Sequence, residues 1–378
     1  MSDAGLLVLQ HQVLWAALAL GLAFGAIAQR SHFCTMGAVA DVVNIGDWQR
    51  ARMWALATGV SMIGFNAMVA LGWIKAADSI YAAPALLWLS QAAGGLMFGF
   101  GMVLASGCGS KTLVRIGGGN LKSLVVFAVL GLSAWATLRG ITAVLRVNTV
   151  DQVVLRLPAG QDLPSLAAAL GGGGLGGVSA PPGVWALALG ALIGGALVAW
   201  ALARREGRSA DVLLGGIGIG ALVVGLWWVS GVLGHLAEHP QTLEPAFLAT
   251  PTNRMESFSF VAPLAQVLDG LVFFSDASKR LTQGMVIVPG VVLGSAAVAL
   301  AAGSFRWEAF RGVEDTANHL VGALLMGVGG ITALGCTISQ GLSGLSTLSL
   351  GSFIAVAAIV AGAVLALRWQ VWRLERSA

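Results

Sequence analysis

The sequence predicts an all-α polytopic membrane protein with about nine transmembrane helices. Hydrophobic residues make up 57% of its 378 residues and charged residues only 10%, whereas soluble domains carry about 25% charged residues. Apolar runs of roughly 20 residues, the length needed to cross a bilayer, recur along the whole chain. The 53 glycines suit this fold class, because small residues let helix backbones approach closely in lipid.

Nine segments have the length and hydropathy of a crossing. They are residues 6–28, 53–74, 86–106, 121–145, 184–203, 212–236, 285–303, 320–335 and 352–367. A tenth apolar stretch, residues 258–274, is shorter and carries Pro263, Gln266 and Asp269. We predict that it is interfacial or re-entrant.

The distribution of basic residues sets the predicted orientation. With nine crossings and a cytoplasmic C-terminus, most Lys and Arg residues fall in short loops on the cytoplasmic side, as the positive-inside rule requires. The N-terminus is then outside, and its sequence MSDAG lacks the positive region of a signal peptide, so the first segment is expected to stay as an anchor. Because the basic residues are scattered over these loops, we expect no nucleic-acid partner.

Two segments repeat one pattern, GFGMVLASGCG at residues 99–109 and GVGGITALGCT at residues 327–337. In both, a cysteine follows nine residues after the opening glycine. The predicted orientation makes the two preceding helices run in opposite directions, which indicates an inverted repeat of the kind that transporters use. We therefore predict one membrane domain with repeats at 1–145 and 184–378, joined by a flexible extracytoplasmic loop at 146–183.

All three cysteines, Cys34, Cys108 and Cys336, follow long apolar segments at predicted helix breaks. Gly107 and Gly335 directly precede two of them and are expected to serve the backbone geometry there. Non-helical backbone at membrane depth is tolerated only where protein or a cavity surrounds it, so these breaks predict re-entrant segments or short helices. The chain has no CxxC motif and no His/Cys cluster, and we predict no metal, cofactor or disulfide framework.

Three motifs carry a resemblance to a known family. RSHFCTMGAVAD at 30–41, LASGCGSKTLVRIGGGN at 104–120 and ALGCTISQGLSGLSTLS at 333–349 resemble the cysteine motifs of the YeeE/YedE or "sulphur transport" family. The resemblance implies an hourglass-shaped protein of the bacterial inner membrane that takes up thiosulfate along its cysteines. It also implies a cytoplasmic TusA-like sulfurtransferase as a partner.

A thiol is a suitable group for such a substrate. Thiosulfate is a dianion with a polarisable terminal sulfur, and a neutral thiol is a weak hydrogen-bond donor that can bind the ion and release it readily. Further candidates are basic residues that would draw anions towards the path, or that would simply set the topology, and hydroxyls that would bind oxyanion oxygens. The basic candidates are Arg30, His32, Lys111, Arg115 and Arg280, and the hydroxyl candidates are Thr337, Ser339 and Ser110.

Several alternatives stay open from the sequence. A free cysteine is often an ordinary small apolar core residue. The substrate could be a related sulfur or selenium species. A membrane redox protein or sulfurtransferase would use the cysteines covalently, but it needs a thiolate and an activating base, for which only His32 near Cys34 is available. A Cu(I) transporter would need more Met and Cys ligands close together. We expect a transporter and not an enzyme.

Overall fold

A computed structural model describes residues 3–171, 181–240, 242–276, 280–310 and 312–377, and nearly all of their regular structure is helical. The long helices are α1 Asp3–Arg30, α3 Gln49–Ala70, α4 Trp88–Leu104, α6 Leu121–Arg139, α9 Pro182–Leu202, α10 Ala210–Trp228, α12 Gln283–Ala301, α13 Val313–Thr332 and α14 Leu350–Ser377. The short helices are α2 Thr35–Ile45, α5 Gly109–Gly117, α7 Ile141–Asn148, α8 Leu163–Gly171 and α11 Ala262–Val272. Two small two-stranded antiparallel sheets pair β1 Ala85–Leu86 with β2 Leu155–Arg156, and β3 His235–Leu236 with β4 Ala246–Phe247.

The all-α polytopic prediction is confirmed. In the described residues, eight helical stretches are long and apolar enough to cross a membrane, and two of them, Gly5–Ile45 and Trp88–Gly117, include a short helix after a cysteine. The one remaining predicted crossing, 320–335, begins within α13 and extends three residues past the end of that helix at Thr332. This helix has 20 residues, but Glu314 and Asp315 in its first turn make it more polar than the others.

One predicted crossing ends earlier than predicted, and the tenth apolar stretch forms only a short helix. The crossing predicted at 121–145 ends at Arg139, because Gly140 adopts an extended conformation and separates α6 from α7. The stretch 258–274 begins as extended chain and becomes the 11-residue helix α11, which is too short to span a bilayer. Within the predicted loop at 146–183, residues up to 171 contain β2 and α8, and most of its glycine run lies outside the described residues.

Glycines set how the helices pack side by side. Gly21 and Gly25 of α1 face Ile287 and Val291 of α12 in the same order, so these two helices run parallel. A side chain at Gly25 would overlap the carbonyl group of Val291. In the same way α4 runs parallel to α14, α3 to α10, and α6 to α13. Small residues thus allow backbone to touch backbone, as in other membrane helix pairs.

The helices that precede Cys108 and Cys336 pack antiparallel to each other. Gly94 near the start of α4 faces Gly329 near the end of α13, and Gly101 near the end of α4 faces Gly322. The two cysteine-bearing ends are therefore reached from opposite directions, and the directions of all the packed helix pairs agree with a nine-crossing chain.

Candidate functional site

The same backbone turn precedes each of the three cysteines. The residue two positions before the cysteine is left-handed in every case: His32 with φ 54°, Ser106 with φ 57° and Leu334 with φ 59°. None of the three is glycine, which is the usual residue for this conformation.

Each of these turns also makes one backbone hydrogen bond between residues five positions apart. The N–H directly before the cysteine donates to the carbonyl five residues earlier, from Phe33 to Ala28 at 3.2 Å and from Gly107 to Met102 at 2.8 Å. Gly335 makes the equivalent bond to Gly330 at 2.8 Å. This is the Schellman closure of a helix C-terminus. It ends one helix and releases the chain one residue before the cysteine.

Each cysteine then starts a new short helix. Cys34 is the N-cap of α2 and its sulfur accepts a hydrogen bond from the N–H of Gly37 at 3.3 Å. The Cys336 sulfur likewise accepts from the N–H of Ser339 at 3.5 Å, in a helix at residues 337–346 that includes a π-helical stretch. Cys108 caps α5 without such a bond, and its sulfur lies 3.3 Å from the Ser110 hydroxyl. Orphan N–H groups at a helix start carry partial positive charge, so all three thiols lie where an anion is stabilised.

A fourth short helix, α11, begins at a residue without a thiol. Its N-cap is Val261, and the preceding residue, Phe260, packs in a buried aromatic cluster with Phe24 and Phe258. The backbone of Phe260 also borders Gly109. The start of α11 therefore joins the two deepest cysteine turns, without adding a thiol to them.

Cys108 lies close to each of the other two thiols. Cys108 is near enough to interact electrostatically with Cys34 on one side and with Cys336 on the other. Cys34 is partly exposed, whereas Cys108 and Cys336 keep 1% and 0% of their surface. Lys111 in α5 lies close enough to interact electrostatically with both Cys34 and Cys108.

Most of the predicted basic residues gather at the Cys34 end. His32 and Arg50 lie near Lys111, Arg30 lies near His32, and Arg115 is close enough to act electrostatically on both Lys111 and Cys34. Two of these side chains are partly neutralised, because Arg30 pairs with Asp211 at 3.4 Å and Arg50 with Asp41 at 3.2 Å. Arg280 is exposed just before α12, at the end of that helix that lies beside the start of α1. It is therefore not part of this cluster.

Cys336 lies in the most densely hydrogen-bonded part of the interior. Its sulfur accepts a backbone hydrogen bond from Ser339, and the backbone of Phe260 and Ile338 lies close to it. The Tyr81 hydroxyl contacts Ser339 twice, at 2.9 Å to the carbonyl oxygen and 2.7 Å to the side chain. Burial raises the pKa of Tyr81, so this phenol stays a neutral hydrogen-bond donor.

Side chains form hydrogen bonds with backbone groups that the helix break at Cys336 leaves without a helical partner. Gln340 donates to the carbonyl oxygen of Ala333 at 2.7 Å and accepts from Ser352 at 2.7 Å. Asn66 donates to the carbonyl oxygen of Ser346 at 2.9 Å. Such bonds replace water at a depth where none is available.

The Thr337 side chain differs from these hydrogen-bonded groups. Its hydroxyl is buried and has no hydrogen-bond partner in the described residues, and the same is true of the Thr35 hydroxyl and the Trp54 ring nitrogen. All three residues line one apolar cavity of about 320 Å³ between α2, α3 and α14. The Thr337 hydroxyl is therefore free to bind a passing polar group.

Sequence reasoning missed the left-handed backbone two residues before each cysteine. It also missed Tyr81 and Glu256. A left-handed position is normally found through glycine or asparagine, and Ser106 and Leu334 give no such signal. Tyr81 is the only tyrosine in the chain, which could have drawn attention to it. Glu256 is half-buried in the extended segment before α11, and burial raises the pKa of its carboxyl to about 7.

Fold and site together define a polytopic membrane protein with interrupted helices and a thiol at each of three interruptions. The model of the sulphur transport family matches residues 30–365, so the chain belongs to that family. The resemblance seen in the three cysteine motifs is thus confirmed.

Named relatives agree with this assignment. The thiosulfate transporter TsuA of Spirochaeta thermophila is 25% identical over 358 residues, covering 91% of this chain and 94% of that protein. TsuA of Escherichia coli is 26% identical over 339 residues, covering 86% of each chain. The probable transporter YedE of Salmonella typhimurium is 34% identical over 113 residues, which is 29% of this chain and 26% of that protein.

Proposed function

We propose that this protein takes up thiosulfate across the bacterial inner membrane through a path lined by Cys34, Cys108 and Cys336. The observation that carries the proposal is the shared construction of the three thiol sites. Each has a Schellman turn with a left-handed residue, followed by a cysteine at the start of a short helix. Cysteines that only filled space in the core would not require this geometry three times in one chain.

The chemistry of the sites fits a soft-ended dianion. Moving a bare dianion into a low-dielectric interior costs on the order of tens of kcal/mol unless it is compensated. Backbone N–H groups at the helix starts offer partial positive charge at each step, and the Lys111 side chain lies near the first two thiols. The thiols must be neutral, because a thiolate would repel the ion, and no covalent conversion of the substrate is needed.

Other predicted residues receive roles in the same proposal. Arg30 and His32 attract the anion at the Cys34 end, and Thr337 donates its unpartnered hydroxyl to an oxyanion oxygen near Cys336. Gly107 and Gly335 hold the turns. At Gly335 an added Cβ would lie 2.8 Å from the Cβ of Ser339, and at Gly107 it would lie 3.2 Å from Cγ of Lys111.

The proposal includes two inverted repeats, at 1–145 and 184–378, with the N-terminus outside and the C-terminus in the cytoplasm. The antiparallel packing of α4 and α13 supports it, because repeat-related helices of an inverted pair run in opposite directions. The cluster of Arg30, Arg50 and Lys111 then lies towards the cytoplasm, as the positive-inside rule requires. From the resemblance alone, we also expect a TusA-like sulfurtransferase to receive the sulfur there.

Uptake of radiolabelled thiosulfate into proteoliposomes tests the proposal. The wild type is expected to load thiosulfate, with little competition from sulfate and measurable competition from selenite if the path admits selenium oxyanions. Vesicles that load thiosulfate equally fast after all three cysteines are changed to alanine would refute the cysteine path. Conversion of the label to another sulfur species inside sealed vesicles would favour the redox or sulfurtransferase alternative.

A further inference from the structure

Two apolar cavities open at the perimeter of the helix bundle. The cavity of about 320 Å³ between α2, α3 and α14 is one of them, and a second cavity of about 510 Å³ lies between α5, α6, α11 and α12. Each wall includes exposed apolar side chains, such as Val360 at 38% in the first cavity and Leu293 at 57% in the second. Both cavities therefore open sideways between long apolar helices, where lipid surrounds the protein.

The two cavities have the same construction. Each is bounded by two short helices and by the long helix that follows each of them in the chain. In the first cavity α2 is followed by α3, and the helix at 337–346 by α14; in the second, α11 is followed by α12, and α5 by α6. These are corresponding elements in the proposed repeats. A helix of this size is only about 14–17 Å long, so it leaves part of the hydrocarbon depth of about 30 Å unfilled.

The cavities lie towards opposite faces of the membrane. A Cβ at Gly215 would meet both Met53 and Ser31, which places the start of α3, a wall of the first cavity, beside the end of α1. The second cavity runs along the first half of α12, from Met285 to Leu293, and the start of α12 lies beside the start of α1. Because α1 crosses the membrane, one cavity opens into each leaflet.

An exposed arginine lies at the membrane-surface end of each cavity. In α14, Val360 and Val364 line the first cavity four residues apart, and Arg368 lies one turn further along the same stripe. Arg280 directly precedes Leu281, which lines the second cavity. Neither arginine forms an ion pair with the residues that the structure describes. Each cavity therefore combines an apolar interior with a free positive charge at its outer end.

We propose that each cavity binds an acyl chain of one phospholipid, whose phosphate pairs with Arg368 in one leaflet and with Arg280 in the other. A guanidinium group matches the geometry of a phosphate, and a flexible chain fills an apolar space between helices. The hydroxyls of Thr35 and Thr337 are themselves buried, so the chain meets carbon in the first cavity. The lipid chains would pack against α2 and α5, the short helices that begin at Cys34 and Cys108.

Cross-linking with a photoactivatable phospholipid tests the proposal. The probe is a phosphatidylglycerol with a diazirine near the end of one acyl chain, mixed into phosphatidylcholine vesicles that contain the purified protein. After illumination, mass spectrometry should find the label concentrated on α14 around Val360 and on α12 around Leu293. A diacylglycerol with the same diazirine chain has no phosphate and should label both places about fivefold less.

Two pairs of variants separate the cavities from ordinary contact with the bilayer. Val360→Trp fills the first cavity, whereas Leu365→Trp adds the same side chain to an exposed position of α14 outside it. Leu293→Trp fills the second cavity, and Leu300→Trp is its control on α12. Each filling variant should lose at least about fivefold of the label in its own cavity only, while both controls label like the wild type.

The arginines are tested with the same two probes. Arg368→Gln should remove the preference for phospholipid over diacylglycerol at the first cavity only, and Arg280→Gln at the second only. Even labelling along all the lipid-facing helices, or filling variants that label like the wild type, would overturn the lipid sites. Equal labelling of the wild type by both probes would overturn the phosphate contact. None of these readouts depends on thiosulfate uptake, so they stand apart from the test of the proposed function.

Discussion

Gly99 opens the first repeated motif, and changing it to alanine should separate two helices of the site. A Cβ at this position would overlap the carbonyl oxygen of Ile359 and lie 2.8 Å from its carbonyl carbon and 2.9 Å from the nitrogen of Ala363. Carbon atoms in ordinary contact stay about 3.5–4.0 Å apart. The obstacle is backbone, which cannot rotate away, so α4 and α14 must move apart by about 1 Å over this turn.

Overpacking of this kind typically costs about 1–3 kcal/mol. At about 1.4 kcal/mol per factor of ten, this corresponds to a loss of about 5- to 150-fold in the folding equilibrium. Cys108 lies only nine residues further along the chain, and its turn is closed against the end of α4. We therefore expect Gly99→Ala to lower both the midpoint of unfolding in detergent and the rate of thiosulfate uptake.

Gly195 in the middle of α9 is the matched control. A Cβ there would meet nothing within 4 Å, and alanine is the better helix former by about 1 kcal/mol in water. Gly195→Ala should therefore unfold at the wild-type temperature or slightly above it. If Gly99→Ala matched Gly195→Ala in stability and uptake, the close contact between α4 and α14 would be wrong.

Four further predictions concern the site itself. Cys108→Ala should abolish thiosulfate uptake while Cys108→Ser keeps a slow rate, and equal rates in both would argue against a role for the hydrogen-bonding group. Gln340→Leu should destabilise the protein by about 2–4 kcal/mol, because two buried hydrogen bonds at the break are lost, and unchanged thermal unfolding would contradict this. Thr337→Val should slow uptake, and a normal rate would remove the hydroxyl from the path. Folding raises the pKa of the Glu256 carboxyl from 4.5 to about 7. The folded state therefore holds this proton more tightly than the unfolded state, and the free energy of unfolding should fall by up to about 3 kcal/mol as the pH rises from about 4.5 through about 7. Glu256→Gln should flatten this part of the pH profile of unfolding.

The sequence allowed a good prediction of the crossings, because hydropathy and length are properties of each segment alone. Repeated glycine spacing before Cys108 and Cys336 also predicted the breaks, and the structure supplies the reason. Gly99 faces the backbone of α14, while Gly327 faces Leu130 of α6, so both motifs need glycine at the same distance from the cysteine.

Other features depend on contacts that a single segment does not encode. Gly140 ends α6 early, although the hydropathy continues into α7. Ser106 and Leu334 adopt left-handed conformations that cost roughly 1 kcal/mol or more for residues with a Cβ, and the surrounding tertiary packing holds them there. Glu256 looks like an ordinary charged loop residue in the sequence, and only the fold shows that it is half-buried and that Gln283 donates to its backbone carbonyl oxygen.

The burial of the two deepest thiols has a consequence for how the molecule works over time. With 1% and 0% of their surface exposed, Cys108 and Cys336 are closed to both compartments in this conformation. On the proposed path, each passage therefore requires a brief opening, and the rate at which a small alkylating reagent labels each sulfur would measure how often such openings occur. The labelling rates of the two sulfurs would thus report separately on the opening of the structure around each of them.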